Sequence, residues 1–320
     1  MKAITINDAV EEYFEMSYHL KESSLKSYRI LWQAIKDDAL MNRSMRSLRP
    51  IDLKKWLVQK KKEGKTFSTL NCYYSGIIKP ALKYAVEDGW IKSSPATFKT
   101  SEVIKPDKKK GRWLTEEEQM IFREFLNRDI PLCKISKNAF LVCMGLGLRI
   151  SELGGLTVDD VDFERNEVSI SRQIIYESPG YRIDTPKSES GVRTIPMTHE
   201  VRDILEEEIK NHKLTIEIDG VSGFIFTVRK NQPLNKDTAG YRYRRIVKMI
   251  DEEYGTKLTQ TTVHSLRHTF CSSLINAGVS LKVAQYLMGH KNVSTTLDIY
   301  SHITNDSVRQ EMKKLEKSLI

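Results

Sequence analysis

Long apolar runs, a signal peptide and paired cysteines are all missing from this sequence of 320 residues. Its longest apolar stretch, residues 139–148, has about half of the ~20 residues that a membrane-spanning helix needs. The N-terminal residues contain no apolar segment of the secretory kind. The four cysteines form no CxxC pair, as is typical of reduced thiols in the cytosol. With 40% apolar and 29% charged residues, this is the composition of a soluble folded protein, so membrane, secreted and disordered classes are excluded.

Motifs for cofactors and metals are missing as well. The sequence has no GxxxxGK[ST] phosphate loop, no GxGxxG fingerprint, no HExxH and no Cys/His zinc spacing. His264 and His268 are four residues apart and could ligate a metal from one helical face. The cation of Arg267 would share that face and would disfavour a second cation. We therefore expect neither a metal nor a cofactor.

The positive charge is concentrated near the N-terminus. The net charge is +9, of which residues 1–100 contribute +7 and residues 101–112 contribute +3. The rest of the chain has a net charge of −1. A concentrated basic region is the electrostatic footprint of a nucleic-acid partner, although a solvated basic surface gives the same count. Charge alone leaves both interpretations open.

The first domain is expected to be helical over residues 1–100. Apolar residues recur there at helical spacing in four stretches. Pro50 is placed to open the third helix and Pro80 to kink the fourth. Residues 101–112 combine proline with a run of charges and have no apolar period, which predicts a basic linker.

The second domain is expected over residues 113–320. Thr115, followed by three glutamates, is typical of a capped helix start. Helical patterns dominate, but residues 167–196 alternate and are rich in β-branched residues, which predicts a small antiparallel meander. The predicted fold class is therefore mainly α with a small antiparallel β-sheet (α+β), in two domains.

An arginine and a glutamate stand out in the apolar segment GLGLRISEL. Burying Arg149 there costs several kcal/mol unless it is paired or serves an anion. Glu152, about one turn further along the predicted helix, is placed to orient it. An ordinary ion pair between the two is the alternative.

Two later segments carry histidine, arginine and tyrosine. In HSLRHTF, His264 and Arg267 are three residues apart and therefore share a helical face. LMGH ends at His290, and IYSH contains Tyr300. Singly, a histidine of this kind is often a core or capping residue, and such a tyrosine is often half-buried. Their combination with Arg149 is what points to a site.

Together these motifs resemble those of the tyrosine recombinase (phage integrase) family. Lys187, in TPKSESGVRTIP, matches the hairpin lysine of that family. The resemblance covers residues 110–302 and extends more weakly over 5–95, which is similar to a helical SAM-like core-site-binding domain. It implies two domains that form a clamp around DNA. It also implies six catalytic residues: Arg149, Lys187, His264, Arg267, His290 and Tyr300.

The resemblance implies cleavage and rejoining of DNA strands without metal or ATP. Arg149 and Arg267 would bind the non-bridging oxygens of the scissile phosphate and stabilise its transition state. Tyr300 would attack phosphorus and form a covalent 3′-phosphotyrosyl link that conserves the bond energy. In rejoining, a 5′-hydroxyl of the partner duplex would attack that link.

The remaining roles concern proton transfer. His264 is the candidate acceptor of the phenol proton, and His290 is a candidate ligand of the phosphate or the nucleophile region. Lys187 is the candidate general acid for the 5′-hydroxyl, with Lys291 as a nearby competitor. Glu152 supports Arg149. Among the other residues, we interpret Arg193 as a hairpin or DNA-backbone residue and His268 and His302 as structural.

The implied partner is double-stranded DNA with attachment or core sites, bound by a homotetramer in the synaptic complex. Accessory directionality or DNA-bending proteins are further candidate partners, and a membrane is not. A cytoplasmic location follows, at the nucleoid when DNA is bound. Residues 303–320 have apolar residues at helical spacing, which predicts an amphipathic tail helix that needs a surface to cover. The resemblance implies that this helix docks on a neighbouring protomer, and docking on its own domain is the alternative.

The sequence of residues 70–100 resembles phage or conjugative-element integrases more than cellular dimer-resolution recombinases. Integrases of the family often carry an additional N-terminal arm-binding domain, for which the printed sequence has no room. Whether such a domain was removed stays open, as do target sequence and overlap length. Two other functions remain in view: DNA relaxation of the type IB topoisomerase kind, and DNA binding without catalysis. The helical first domain and the tail favour the recombinase.

Overall fold

The structure, a computed structural model, describes residues 4–18, 20–107, 112–177, 180–186, 189–211 and 216–292. The chain divides into two compact units, Met1–Lys109 (unit 1) and Lys110–Ile320 (unit 2). Among the described helices, none is both long and apolar enough to cross a membrane.

Unit 1 is built from short helices. They are α1 (Ile6–Met16), α2 (Glu22–Gln33), α3 (Pro50–Lys62), α4 (Phe67–Asn71), α5 (Lys79–Glu87) and α6 (Thr100–Val103). The start of α1 is fixed by Thr5, whose backbone N–H donates to the Asp8 carboxylate at 2.7 Å. Pro50 takes the first position of α3, where its missing N–H costs no hydrogen bond.

The predicted fourth helix is irregular at its centre. Residues Cys72–Ile78 form a π-helical segment between α4 and α5, and the Lys79 N–H donates to the carbonyl of Tyr74, five residues back. Pro80 follows directly and has no N–H to donate. The irregularity expected at the proline is thus a widened helical turn that precedes it.

The apolar faces of these helices meet in one core. Trp32 and Tyr73 are buried in it, and the Tyr73 ring lies 6.3 Å from that of Trp56, centroid to centroid. The indole N–H of Trp56 donates to Asp38 at 2.8 Å, and Lys60 binds the other oxygen of the same carboxylate at 3.0 Å. This polar cluster holds α3 against the chain that follows α2.

Unit 2 combines helices with short strands. Its helices are α7 (Glu116–Leu126), α8 (Pro131–Lys134), α9 (Lys137–Leu146), α10 (Ile150–Gly154), α11 (His199–Lys210), α12 (Lys236–Tyr254), α13 (His264–Asn276) and α14 (Leu281–Met288). Its strands are β1 (Val161–Asp162), β2 (Glu167–Ile170), β3 (Gln173–Glu177), β4 (Gly180–Asp184) and β5 (Arg193–Pro196).

The strands form two sheets. β2 is central in an antiparallel sheet of order β1–β2–β5, in which Val168 pairs with Ile195. β3 and β4 form a separate antiparallel hairpin between β2 and its partner β5. The single meander predicted over residues 167–196 is therefore wrong in its connectivity. Arg172, between β2 and β3, binds Asp160 at 2.5 Å and anchors the chain where it leaves the first sheet.

Helix α9 is the centre of unit 2. Seven of its ten residues are buried, which is typical of a helix that is apolar on every side. It packs against α11 and α13. The chain that leaves its C-terminal end, with Arg149, therefore begins at the edge of the core.

Candidate active site

Arg149 lies between two helices rather than inside one. α9 ends at Gly147, whose φ of 62° is in the left-handed region, and Arg149 is the N-cap residue of α10. A Cβ on Gly147 would lie 2.3 Å from the ring of Phe270, so the turn requires glycine. The expectation that Arg149 continues a helix is wrong, because this turn redirects the chain. Its side chain is 28% exposed.

Glu152 is the buried centre of the site. Its carboxylate accepts the Arg149 backbone N–H at 2.9 Å and the Arg149 Nη1 at 2.5 Å. Arg193 Nη2 donates to it at 3.0 Å, and Arg267 Nη1 lies 3.7 Å away. Burial opposes ionisation of the carboxyl, but the three guanidiniums outweigh burial and lower its pKa. The expected pairing with Arg149 is present, within a larger cluster.

Arg267 is fully buried and anchored to two helix ends. Its Nη1 donates to the carbonyl of Gly147 at 2.7 Å, and its Nη2 donates to that of Met288. These carbonyls lie where α9 and α14 end, and the helix dipoles favour a cation there. Burial and the neighbouring Arg149 lower the pKa of Arg267 to about 9, so the guanidinium stays charged at neutral pH.

Two predicted histidines lie beside these arginines. His264 is the first residue of α13, and His290 follows Gly289 at the end of α14. Desolvation, His268 and Arg267 lower the pKa of His264 to about 4, although its side chain is exposed. Burial and then Arg267 lower the pKa of His290 to about 3. Both rings are therefore neutral near pH 7, with the lone pair of one ring nitrogen free, but each is a weaker base than an ordinary imidazole.

The site carries an excess of positive charge. Three guanidiniums face one carboxylate, which leaves a charge of +2 when the histidines are neutral. Arg149 is the most exposed of the three arginines, and its Nη2 lies 3.4 Å from the carbonyl of Gly289. Forked guanidiniums in a partly buried, cationic site suit a phosphate group. Across the described ranges, no three His, Cys, Asp or Glu side chains gather as metal ligands.

Arg193 is the residue that sequence reasoning missed. It begins β5 with a completely buried side chain, whose three nitrogens donate to Glu152 and to the carbonyls of Leu287 and Gly191. Of its two interpretations, the DNA-backbone contact is therefore wrong, whereas the bond to Gly191, just before β5, agrees with a hairpin residue. The missed signal is the alternation in VRTIP, which places Arg193 on the same inward face of the strand as Ile195. A charge on a core-facing position predicts a buried partner, and Glu152 is that partner.

Some of the predicted site residues lie outside the part of the chain that the structure describes. Lys187, Tyr300, His302 and the tail 303–320 lie outside the described residues. Lys291 is exposed just after the site. His268 packs its ring edge-on against His264, with centroids 4.7 Å apart. Of the six predicted catalytic residues, four are described. Arg149 and Arg267 contact Glu152, and His264 and His290 lie near enough to both arginines for the positive charges to lower the pKa of each ring.

Known proteins are similar to this chain in sequence. Residues 112–306 match the phage integrase family. A transposase from transposon Tn916 of Enterococcus faecalis is 37% identical over 292 residues, which cover 90% of this chain and 72% of the transposase. A XerC-like tyrosine recombinase of Caldanaerobacter subterraneus is 28% identical and covers 84% of this chain and 71% of its own length.

A solved structure agrees over both units. The Tn1549 transposon integrase, in complex with a circular intermediate DNA, superposes with a TM-score of 0.89 at 33% identity. The match covers 98% of this chain and 100% of that one. The chain therefore belongs to the phage integrase family of tyrosine recombinases. It is a site-specific DNA recombinase of the type found in conjugative transposons and phages.

Proposed function

We propose that this chain binds double-stranded DNA at attachment or core sites and exchanges strands to integrate or excise a mobile element. One observation carries the chemistry: Glu152 gathers Arg149 and Arg267 beside two neutral histidines, His264 and His290. Such a site offers fixed cations to one phosphate and a nearby base. Both are needed for transfer of a phosphodiester to a phenol oxygen.

In the proposed reaction, the arginines stabilise the phosphate as it gains charge. Arg149, which is 28% exposed, binds the non-bridging oxygens from the solvent side. Arg267, which is 1% exposed and held by the carbonyls of Gly147 and Met288, binds them from the buried side only once one of its N–H groups is uncovered. Tyr300 forms the new bond to phosphorus while the bond to the 5′-oxygen breaks. The phosphodiester is exchanged for another, so no ATP is consumed.

Two protons move in this reaction. His264 accepts the phenol proton of Tyr300, and Lys187 donates a proton to the leaving 5′-oxygen. His290 binds the phosphate or the nucleophile region, beside the end of α14. In rejoining, a 5′-hydroxyl attacks the phosphotyrosine and each proton moves back.

Each unit has a separate task in this proposal. Residues 1–100 form the core-site DNA-binding domain, 101–112 a basic linker and 113–320 the catalytic domain. On α3, exposed or half-exposed lysines share a face with Ile51 and Val58: Lys54, Lys55 and Lys62. This cationic face suits a phosphate backbone.

Assembly extends the proposal beyond one chain. We expect four copies to join two duplexes, linked by the tail helix 303–320, with directionality or DNA-bending proteins as accessories. The complex would act in the cytoplasm, at the nucleoid. Strand exchange needs a second duplex and a sequence-specific site, whereas topoisomerase-like relaxation needs neither.

The test is covalent trapping. The protein is incubated with nicked duplexes from DNA flanking its gene, without ATP and with a chelator present. We expect a denaturant-resistant protein–DNA adduct that Tyr300→Phe abolishes. Tyr241→Phe is the matched control, because Tyr241 is 54% exposed on α12 and is not among the residues proposed for catalysis or for core-site binding; it should form adduct at the wild-type rate.

The alternative outcomes are distinct. DNA binding with no adduct from any duplex would contradict the cleavage mechanism and favour a binding protein. An adduct on every sequence, with relaxation of plasmids that lack a site, would contradict site-specific exchange and favour a topoisomerase.

A further inference from the structure

Arg193 has no task in the reaction described above, although it is built into the site. Its side chain is completely buried, so it does not reach solvent or DNA. A buried guanidinium is costly unless each contact is satisfied. The contacts of Arg193 therefore indicate its role in the structure.

The guanidinium of Arg193 joins three separate parts of unit 2. It donates to both oxygens of Glu152, at 3.0 and 3.4 Å. Its Nε donates to the carbonyl of Leu287 in the last turn of α14, at 2.8 Å. Its Nη1 donates to the carbonyl of Gly191, in the turn before β5, also at 2.8 Å. One side chain thus ties α10, the turn before β5 and the end of α14 together.

Two glycines, Gly289 and Gly191, pack closely around this guanidinium. A Cβ on Gly289 would lie 2.9 Å from Arg193 Nη1, so the backbone before His290 rests directly on the guanidinium. A Cβ on Gly191 would lie 2.4 Å from the Cβ of Pro186. Gly191, just before β5, is therefore held between Pro186 and Arg193.

Charge gives Arg193 a second effect. Glu152 is buried and ionised, and without Arg193 its charge would be balanced only by Arg149 and Arg267. Those two arginines are the ones proposed to bind phosphate. Loss of Arg193 would reduce the charge of the cluster from +2 to +1 and draw both remaining arginines toward the carboxylate.

We propose that Arg193 is a positioning residue of the recombination site. It neutralises Glu152 from the buried side, so that Arg149 and Arg267 keep their charge for the scissile phosphate, and it fixes the backbone that carries His290. This inference rests on the proposed function, because it assigns Arg193 an effect on the rate of DNA cleavage.

The experiment compares Arg193→Met, which keeps the length of the side chain, with Arg193→Lys, which keeps the charge. Adduct formation on a nicked duplex is timed at saturating protein, and DNA affinity is measured separately on native gels. We expect Arg193→Met to slow adduct formation about 100-fold, the scale on which loss of a transition-state stabiliser acts, with affinity changed less than about threefold. Arg193→Lys should recover at least about tenfold of that rate.

A double-mutant cycle separates charge balance from a purely structural effect. Glu152→Gln removes the charge that Arg193 neutralises, so Arg193→Met should cost at least about fivefold less in the Glu152→Gln background than in the wild type. Arg172→Met is the matched control, since Arg172 also pairs with a buried carboxylate, Asp160, in unit 2. Its loss should leave the cleavage rate of the folded protein within about threefold.

Several results would overturn the inference. Arg193→Met could cleave at the wild-type rate, or its cost could be equal in both backgrounds. It could also lose affinity, thermal stability and rate in parallel without recovery in Arg193→Lys. A wild-type chain that forms no Tyr300-dependent adduct on any duplex would instead refute the proposed function itself, and the role of Arg193 with it.

Discussion

The histidines of the site are hard to protonate, and this makes stability depend on pH. The pKa of His290 is about 3 in the folded chain, below its ordinary value of 6.5. Below pH 6.5 the unfolded chain therefore binds a proton that the folded chain does not, and the free energy of unfolding falls as pH is lowered. The loss for this one group is at most about 1.4 kcal/mol per pH unit, and it is absent above pH 6.5.

We predict that His290→Gln removes part of this acid sensitivity. Urea unfolding at pH 7.5, 6.5 and 5.5 should show a smaller loss of stability toward pH 5.5 in His290→Gln than in the wild type. His199→Gln, at an exposed residue at the start of α11, is the control for a histidine outside the site. An identical pH dependence in wild type and His290→Gln would contradict the depressed pKa.

Gly147 allows a second prediction at a single residue. Gly147→Ala places a side chain in a left-handed turn, at a cost of about 1–2 kcal/mol, and drives it into Phe270, which is 2.3 Å away. The turn carries the carbonyl that holds Arg267, so DNA cleavage should slow as well. Thermal unfolding and adduct formation are the measurements.

Gly255→Ala is the matched control for this change. Gly255 ends α12 with a φ of 66°, but its Cβ would meet nothing within 4 Å. Gly255→Ala should therefore lose only the stability that a side chain costs in a left-handed backbone conformation, and it should keep the wild-type cleavage rate. Equal losses of stability at both glycines would show that the contact with Phe270 is relieved at no cost.

For single residues, the spacing in the sequence predicted which side chains share a helical turn. His264 and Arg267 do lie on the first turn of α13, and Glu152 does bind Arg149. Spacing could not predict that Glu152 also holds Arg193, because the two are 41 residues apart in the chain. Buried ion pairs of this kind depend on the fold, which a local pattern does not contain.

Among the elements, α3 is held in part by one polar side chain of the preceding segment. Asp38 accepts the indole N–H of Trp56 and binds Lys60. Asp38→Ala leaves the half-buried N–H without its acceptor, and we predict a loss of about 1–3 kcal/mol in the stability of unit 1. Urea unfolding followed by tryptophan fluorescence measures it.

Asp37→Ala is the control for this prediction, since Asp37 is the exposed neighbour in the sequence. It should change the stability by less than about 0.5 kcal/mol. If both variants unfold at the same urea concentration, Asp38 does not hold α3.

Helices were more predictable than strand pairing for a physical reason. A helix is bonded within itself, so its period appears in the local sequence, as in α1 and α7. A strand must find a partner, and alternation looks the same whichever strand that is. β2 therefore looked like the first strand of a meander, whereas its partners are β1 and β5.

Over the whole molecule, the net charge of each part of the chain differs from the local charge of the site. The basic excess is in residues 1–112, and the rest of the chain is nearly neutral. The cluster around Glu152 nevertheless has a charge of +2, because its three arginines are gathered by the fold around one carboxylate. The count along the chain indicated a nucleic-acid partner, whereas the fold gathers the cations at one point, where we propose that a single phosphate binds.

The basic excess should make DNA binding strongly dependent on salt. Each phosphate contact releases counterions, so the affinity falls linearly with salt on logarithmic axes. Replacing the α3 lysines Lys54, Lys55 and Lys62 by glutamine should reduce that slope by about two to three, since each phosphate contact contributes about one. Native gels at salt concentrations from about 50 to about 200 mM measure this slope, because proteins that bind phosphates lose much of their affinity over that range.

The control for the α3 lysines must change charge without a predicted phosphate contact. Lys83→Gln combined with Glu87→Gln removes an exposed ion pair of α5 and keeps the net charge. Its slope should equal that of the wild type. A slope that does not change in the α3 variant would mean that other basic residues bind the backbone. The concentrated charge of unit 1 would then act at long range, through the rate of association, rather than through contacts made by α3.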